Sequence, residues 1–186
     1  EGKDPRHNYY LAKALFDVNT PESNDRALKL IFNYEEGQHK SGWPEERAQG
    51  WDYVAQIYKR RGEFNNGIKA IMNALIEQPE AKMPWLTLAS LYMVKKDWDR
   101  ALFWVRMATT VPEKKTTLIQ NPKDEQAKVL EIIYNSSLNK GMIDEAWAAA
   151  QKLVELFLSD PMMINTLNFI NSLKNERNLT NMYLDI

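Results

Sequence analysis

The stretch that decides the fold reads WDYVAQIYKRRGEFNNGIKAIMNALIEQP at residues 51–79 and WLTLASLYMVKKDWDRALFWVRMATTVP at residues 85–112. The two segments carry similar residue types at equivalent positions, with a constant spacing of 34 residues. The matching pairs are Trp51 and Trp85, Ala55 and Ala89, Tyr58 and Tyr92, Gly67 and Ala101, Ile71 and Val105, and Ala74 and Ala108. The chain therefore contains an internal structural repeat.

Each repeat is predicted to be two helices joined by a short turn. Trp51, Val54, Ala55 and Tyr58 are spaced i, i+3, i+4 and i+7, which places them on one face of a helix. A second apolar helix follows the glycine-containing turn at residues 61–64. A proline closes each repeat, because proline lacks the amide hydrogen that a helix needs.

Small residues recur where the two helices of a pair must approach closely. They are Ala55, Gly67, Ala89 and Ala101. A larger side chain at these positions would push the helices apart. Each pair also leaves one apolar face uncovered, so a neighbouring pair must stack on it. This pattern predicts a row of stacked helix pairs.

The same pattern extends in a weaker form over most of the chain. The predicted units are repeats at residues 6–37, 46–79, 81–112 and 124–158, and a capping helix at residues 161–175. The first turn carries three extra residues, and a polar insertion at 113–124 precedes the last repeat. We therefore expect one all-α domain, a right-handed superhelix of about four helix-turn-helix repeats plus a C-terminal capping helix.

Composition narrows the class of protein. The 186 residues include 24 Lys and Arg against 25 Asp and Glu, so no general attraction to nucleic acid or to an anionic membrane is expected. The sequence has no cysteine and no apolar run of membrane-spanning length, and we expect a cytoplasmic setting. Because it begins at Glu1 without methionine or a signal-peptide pattern, we also expect an excerpt from a longer polypeptide.

The repeat resembles the tetratricopeptide repeat (TPR) family, in which an aromatic, a small residue and a second aromatic occupy these positions of a 34-residue unit. The resemblance covers nearly the whole chain and implies a TPR-like superhelix that presents a surface to a protein or peptide. A narrower similarity rests on PRHNYYLAKAL at residues 5–15, on Ser41-Gly42-Trp43 and on the turn at 139–146. These segments look like the TPR region that follows the catalytic domain in some family 2 glycosyltransferases. This similarity implies a scaffold accessory to a glycosyltransferase, without the transferase domain itself.

One short motif has the form of a catalytic site. Asp97-Trp98-Asp99 matches the Asp-x-Asp that holds a metal and a sugar-nucleotide diphosphate in many glycosyltransferases. It lies in the turn of a repeat, where Asp97 is expected to cap a helix. His7 and His39 are the only histidines, and the sequence has no phosphate-binding glycine loop or nucleophile motif. We therefore expect no cofactor, no metal and no enzymatic activity, with a glycosyltransferase in its own right as the disfavoured alternative.

The first helix of each pair is expected to line the inner side of the superhelix. Residues of these helices that turn away from the repeat core are the candidate peptide groove: Tyr9, Lys13, Asp52, Gln56, Lys59, Arg60, Leu86, Ser90, Met93 and Asn135. The first half of this groove is basic, which suits an extended peptide or an acidic tail. The partner is expected to be a protein, a peptide or another domain of the same polypeptide. An ordinary solvated face, a stand-alone adaptor and self-association as a homo-oligomer remain alternatives. Trp43, in a loop, is expected to be the most exposed tryptophan.

Overall fold

The computed structural model describes residues 5–37, 43–112, 121–157 and 161–184. These residues form helices and turns, with no β-strand among them. In chain order the helices are α1 (Pro5–Val18), α2 (Pro21–Gly37), α3 (Pro44–Arg60), α4 (Phe64–Glu77), α5 (Lys82–Val94), α6 (Trp98–Thr110), α7 (Pro122–Asn139), α8 (Ile143–Leu156) and α9 (Pro161–Leu184). The predicted all-α fold is confirmed.

Consecutive helices pack in pairs. α1 packs on α2, α3 on α4, α5 on α6, and α7 on α8, and α9 packs on α8. The first helices of the pairs also contact one another in series, α1 with α3, α3 with α5, and α5 with α7. These four helices form a continuous layer, whose free side we call the inner face. We call α2, α4, α6 and α8 the outer helices.

The helix pairs meet at small residues. Ala55, Ala89 and Ala101 have none of their surface exposed. At Gly67, an added Cβ atom would lie 3.0 Å from Leu91 Cδ2 and 3.1 Å from the carbonyl oxygen of Ala55. The close approach predicted for these small residues is therefore confirmed, and it is tightest at Gly67.

Three of the hairpin turns share one backbone conformation. The residue before the cap of the outer helix lies in the left-handed region, at φ 74° for Gly62, 59° for Lys96 and 73° for Gly141. The next amide then donates to a carbonyl five residues earlier, over 2.9–3.0 Å. Glycine suits this position because it has no Cβ to clash with the backbone. Lys96 adopts the same conformation at a higher conformational cost.

A repeated polar contact joins each pair of helices to the next element. In the first three cases, a basic residue in the turn after a first helix reaches the beginning of the preceding outer helix. In the last case, a basic residue of α9 reaches the beginning of α8. We call these contacts the junction ladder: Arg61–Asp25, Lys95–Asn65, Lys140–Asp99 and Arg177–Asp144. The ladder lies largely at the surface, since the side chains of Asp25 and Asp99 are 72% and 80% exposed.

A buried carboxylate fixes α1 on α3. Glu46 is only 1% exposed, and its Oε1 accepts a hydrogen bond from Arg6 at 2.7 Å and one from the Tyr10 hydroxyl at 3.3 Å. Its Oε2 accepts from the Tyr34 hydroxyl, also at 3.3 Å. The Arg6 guanidinium lies 4.8 Å from the centre of the Trp43 ring. Trp43 itself is 49% exposed, in agreement with the prediction that it is the most exposed tryptophan. Both oxygens of Glu46 thus have donors, which compensates for the burial of its charge.

The capping helix α9 covers the apolar side of the last pair. Ile170 is fully buried and belongs to one apolar cluster with Ala146 and Ala150 of α8. The helix runs to Leu184, beyond the predicted end at residue 175. The prediction was short because it stopped at the polar run of residues 175–178, although no proline or glycine interrupts the sequence there and Leu179, Met182 and Tyr183 resume a helical spacing.

Glu35 on α2 is a second acid with little access to solvent around its carboxyl group. Its Oε1 is buried without a hydrogen-bond partner in the described chain, while the neighbouring Arg47 pairs with Glu77 at 2.7 Å. Burial and, next, the charge of Glu77 raise the pKa of Glu35 from its ordinary value of 4.5 to about 7. Since the folded-state pKa lies above the unfolded one, the free energy of unfolding falls as the pH rises from about 4.5 to 7.

Glu35→Gln is expected to remove this pH dependence. At pH 8 the variant should be more stable than the parent by about 1 kcal/mol, a value reduced for the solvent that reaches the side chain. At pH 5, where Glu35 is already neutral, the two proteins should unfold alike. Urea unfolding at pH 5, 6, 7 and 8 measures the effect, with the exposed Glu155→Gln as the control. A variant that keeps the parent's pH profile contradicts the assignment.

Candidate functional site

The inner face holds a cluster of polar side chains contributed by three successive helix pairs. We call it the polar cluster, and it consists of Asp52, Gln56 and Lys59 of α3, Thr87 and Ser90 of α5, and Lys128 and Glu131 of α7. Because α3, α5 and α7 contact one another in series, these residues are neighbours despite their separation in sequence.

Asp52 is the most deeply buried charged residue of the polar cluster, with 5% of its surface exposed. Its Oδ2 accepts a hydrogen bond of 2.7 Å from the Gln56 side-chain amide. Its Oδ1 is buried without a hydrogen-bond partner among the residues described. Burial raises the pKa of Asp52, and the positive charge of Lys128 acts in the opposite direction. The carboxylate is therefore held in place with part of its hydrogen-bonding capacity unused.

Two lysines cross from neighbouring first helices to hydroxyl groups of α5. Lys59 of α3 donates to the Ser90 hydroxyl, and Lys128 of α7 donates to Thr87 Oγ1 at 3.1 Å. Burial lowers the pKa of both lysines, and the charge of Lys128 lowers that of Lys59 further. Glu131 acts in the opposite direction on both. The two ammonium groups thus lie close enough to influence each other, on a partly desolvated surface.

The sequence prediction located part of this cluster. Four of the predicted groove residues lie together in it, namely Asp52, Gln56, Lys59 and Ser90. Lys128 was missed because it precedes Leu130, where the recognisable part of the fourth repeat begins, and follows the insertion at 113–124. A search for charged residues two positions before the first aligned residue of each repeat could have found it.

Two predicted groove residues are instead part of the core. Tyr9 is 1% exposed and its hydroxyl donates to the Gln49 side chain, while Leu86 is fully buried in an apolar cluster with Val105 and Ile132. The expectation that these residues line an open surface is wrong. Each first helix lies against the next one, so an apolar side chain at such a position is covered by its neighbour.

The remaining predicted groove residues are Arg60, Lys13, Met93 and Asn135. Arg60 is turned toward the first pair, where it donates to the Phe16 carbonyl at 3.3 Å and to Asn19 Oδ1 at 2.8 Å. Its guanidinium also lies 4.1 Å from the centre of the Phe16 ring. Lys13 and Met93 are partly exposed, and the Asn135 amide donates to its own helix. Arg60 is thus exposed but makes contacts within the fold, and its place in a groove stays a prediction.

The Asp97-Trp98-Asp99 motif has a structural role in this fold. Asp97 accepts a hydrogen bond from the Arg100 amide at 3.2 Å, which is the predicted helix cap, and Asp99 pairs with Lys140. Among the described residues, no three His, Cys, Asp or Glu side chains lie close enough together to hold a metal ion. His39 and residues 113–120 lie outside the described part of the chain.

A separate groove opens on the outer side, between α6 and the turn that joins α7 to α8. Its volume is about 290 Å³. Its apolar lining includes Leu102, Phe103, Met107 and Met142, and Phe103 is 53% exposed. Apart from the ion pairs along its edge, the described residues of the groove include no cluster of titratable groups. The groove was not predicted, because exposed apolar residues on an outer helix resemble core residues in sequence.

Comparison with known proteins supports the fold and leaves the partner open. No family model matches the chain, and no curated protein matches it. Among solved structures, a MamA RS-1 ArsTM double mutant is similar with a TM-score of 0.70 and 12% identity, over 99% of this chain and 92% of that one. The putative kinesin light chain of Podosopora anserina, with nearly identical TPR-like repeats, gives 0.63 and 14%, over 99% and 94%. A thermophilic TPR protein of Thermus thermophilus gives 0.59 and 15%, over 90% and 81%. The chain thus has the predicted TPR-like superhelical fold.

Within the described residues, no helix has the length and apolar character needed to cross a membrane.

Proposed function

We propose that this TPR-like superhelix is a non-catalytic protein-binding scaffold whose inner face holds an extended segment of a partner protein. The observation that carries the proposal is the polar cluster. A purely structural surface would be expected to leave its charges in water or to pair them fully, since burying a charge is costly. Here α3 and α7 place partly buried charges on either side of two hydroxyl groups of α5, so polar groups from three successive helix pairs share one surface, as an extended ligand crossing these pairs requires.

The chemistry of the polar cluster suits a ligand rich in oxygen acceptors. Lys59 and Lys128 supply two ammonium groups, and their mutual repulsion is relieved when a carbonyl oxygen lies between them. This refines the basic groove expected from Lys13, Lys59 and Arg60, because Lys128 replaces Arg60 as the second cation. The partner is a separate protein or another domain of the same polypeptide.

Replacing Lys59 and Lys128 together by alanine is expected to weaken peptide binding about tenfold or more, because two charge-assisted hydrogen bonds are lost. The probes are 12-residue peptides selected from a random phage-displayed library on the immobilised chain and then synthesised. Titration measures affinity, and NMR chemical-shift mapping of the wild type locates the site. Shifts should cluster on α3, α5 and α7.

The matched control is the double change Lys69→Ala and Lys152→Ala, which removes the same charge from exposed positions on the outer helices α4 and α8. It should bind like the wild type. Equal binding by the inner-face variant, or chemical shifts confined to the outer groove around Phe103, would overturn the proposed binding face.

We also propose that this scaffold serves a glycosyltransferase. The support is the similarity of residues 5–15, of Ser41-Gly42-Trp43 and of the 139–146 turn to the repeat region of some family 2 enzymes. The test is the coding sequence upstream of Glu1, where a transferase domain is expected. A sugar-nucleotide hydrolysis assay of the chain alone should show no turnover. Turnover abolished by Asp97→Asn or Asp99→Asn would instead make the chain itself an enzyme.

A further inference from the structure

The fold buries two carboxylates on its first helices, and it treats them differently. Glu46 has hydrogen-bond donors at both oxygens, from Arg6, Tyr10 and Tyr34. Asp52 is nearly as buried, and its carboxylate has the Gln56 amide at Oδ2 and the Thr87 hydroxyl beside it, yet its Oδ1 makes no well-formed hydrogen bond in the described chain. Buried polar groups are nearly always paired, so an unpaired buried carboxylate oxygen requires an explanation, such as a bound water or a ligand.

The position of Asp52 gives that explanation a direction. The residue lies in the polar cluster, beside Lys59 of its own helix and Lys128 of α7, whose charges both act on it. A positively charged ligand group would be repelled by these two lysines, and a ligand carboxylate would be repelled by Asp52 itself. An uncharged hydrogen-bond donor is repelled neither by the two lysines nor by Asp52.

We propose that Oδ1 of Asp52 accepts a hydrogen bond from a main-chain amide of the extended partner segment that crosses the inner face. The inference rests on the proposed function, and it specifies how the partner is held. A polypeptide main chain presents N–H donors and carbonyl acceptors in alternation. Asp52 takes the donor, while Lys59 and Lys128 can donate to the carbonyls on either side. The polar cluster thus recognises the backbone of the partner rather than a terminal carboxylate.

Access to Asp52 requires neighbouring side chains to move. The residue is 5% exposed and its Oδ1 is buried, and Lys59 and Lys128 are the charged neighbours that a partner would meet first. Both side chains are long and have several rotatable bonds, and each is tied to a hydroxyl of α5. A partner carbonyl can replace that hydroxyl as the acceptor, so the lysines keep a hydrogen bond when they move.

The test uses the full chain and the selected 12-residue peptides. Asp52→Asn keeps the shape of the side chain but replaces one of its two acceptor oxygens with an amide nitrogen. It should weaken peptide binding about 10-fold to 100-fold. Asp52→Ala, which removes both oxygens, should lose at least as much. The melting temperature of Asp52→Asn should equal or exceed that of the wild type, because the variant removes an incompletely compensated buried charge.

A series of peptides, each methylated at one main-chain nitrogen, identifies the amide that Asp52 binds. Methylation at one interior position should weaken binding to the wild type by a similar factor and should have no further effect on Asp52→Asn. Methylation elsewhere in the peptide, compared in both proteins, is the control for changes in peptide conformation. This non-additivity is a readout that a merely structural role of Asp52 would not produce.

The outcomes separate the two proposals. If peptides bind the inner face and lose affinity when Lys59 and Lys128 are replaced, but bind Asp52→Asn as tightly as the wild type, the role of Asp52 is wrong and the proposed function stands. Additive losses in the methylation series also overturn the role of Asp52. If no peptide is selected, or if the peptides bind elsewhere, the proposed function fails and this inference fails with it.

Discussion

Gly67→Leu and Ala89→Leu are each expected to destabilise the fold strongly, by about 3 kcal/mol for Gly67 and somewhat less for Ala89. The Cβ of any residue at 67 would lie 3.1 Å from the Ala55 carbonyl, a backbone atom that cannot move without shifting α3. Ala89 has no exposed surface, so three added carbons must displace its neighbours. Urea unfolding followed by circular dichroism measures both losses.

The control for this prediction is Asn66→Leu. Asn66 precedes Gly67 on α4 but is exposed, and its amide donates only to the nearby Glu63 side chain in the described hydrogen bonds. The same leucine at this site should change the free energy of unfolding by about 0.5 kcal/mol or less. A Gly67→Leu variant with the parent's unfolding midpoint would show that α3, α4 and α5 do not meet as closely as the structure has them.

Ending the chain at Phe157, which removes α9, is expected to cause aggregation or the loss of cooperative unfolding. α9 buries Ile170 against α8 and holds the Trp147 indole, which donates to Asn171 Oδ1 at 2.6 Å. The ammonium group of Lys174 lies 3.8 Å from the centre of the Trp147 ring. Without the helix this apolar surface faces water, and repeat arrays depend on terminal caps for solubility.

Sedimentation velocity at several concentrations, together with urea unfolding, measures the effect of this truncation. The control ends the chain at Arg177, which keeps Ile170, Asn171 and Lys174 in place. The control should remain monomeric to the same extent as the full chain and unfold in one transition. A monomeric chain ending at Phe157, with the parent's cooperative transition, would contradict the assignment of α9 as a cap.

Sequence periodicity was sufficient to predict the helices and their pairing. The helices from α3 to α6 follow from two aligned copies of one pattern, and small residues such as Ala55 and Gly67 had to lie where helices cross. These features depend on contacts within one repeat or between adjacent repeats, so local spacing encodes them. The length of α9 was underestimated because the polar run at residues 175–178 separates its last apolar residues from the earlier period.

The candidate site was harder to predict, because its side chains reach across repeats. Arg60 belongs to α3 by sequence, but its long side chain ends beside Phe16 and Asn19 of the first pair. Lys128, which contacts Thr87, follows the insertion at residues 113–124, and this insertion interrupts the repeat spacing. Periodicity places a Cβ on a face of its helix, whereas the position of a lysine or arginine head group depends on which neighbour it finds.

The junction ladder has a mechanical consequence. Three of its four contacts are ion pairs, and exposed ion pairs contribute about 0–1 kcal/mol each and are screened over a Debye length of about 8 Å at physiological ionic strength. The superhelix therefore resists bending through two kinds of contact. The apolar interfaces contribute a resistance that added salt does not weaken, and the ion pairs of the junction ladder contribute a resistance that salt reduces. A partner that bends the superhelix on binding therefore does less work at higher ionic strength.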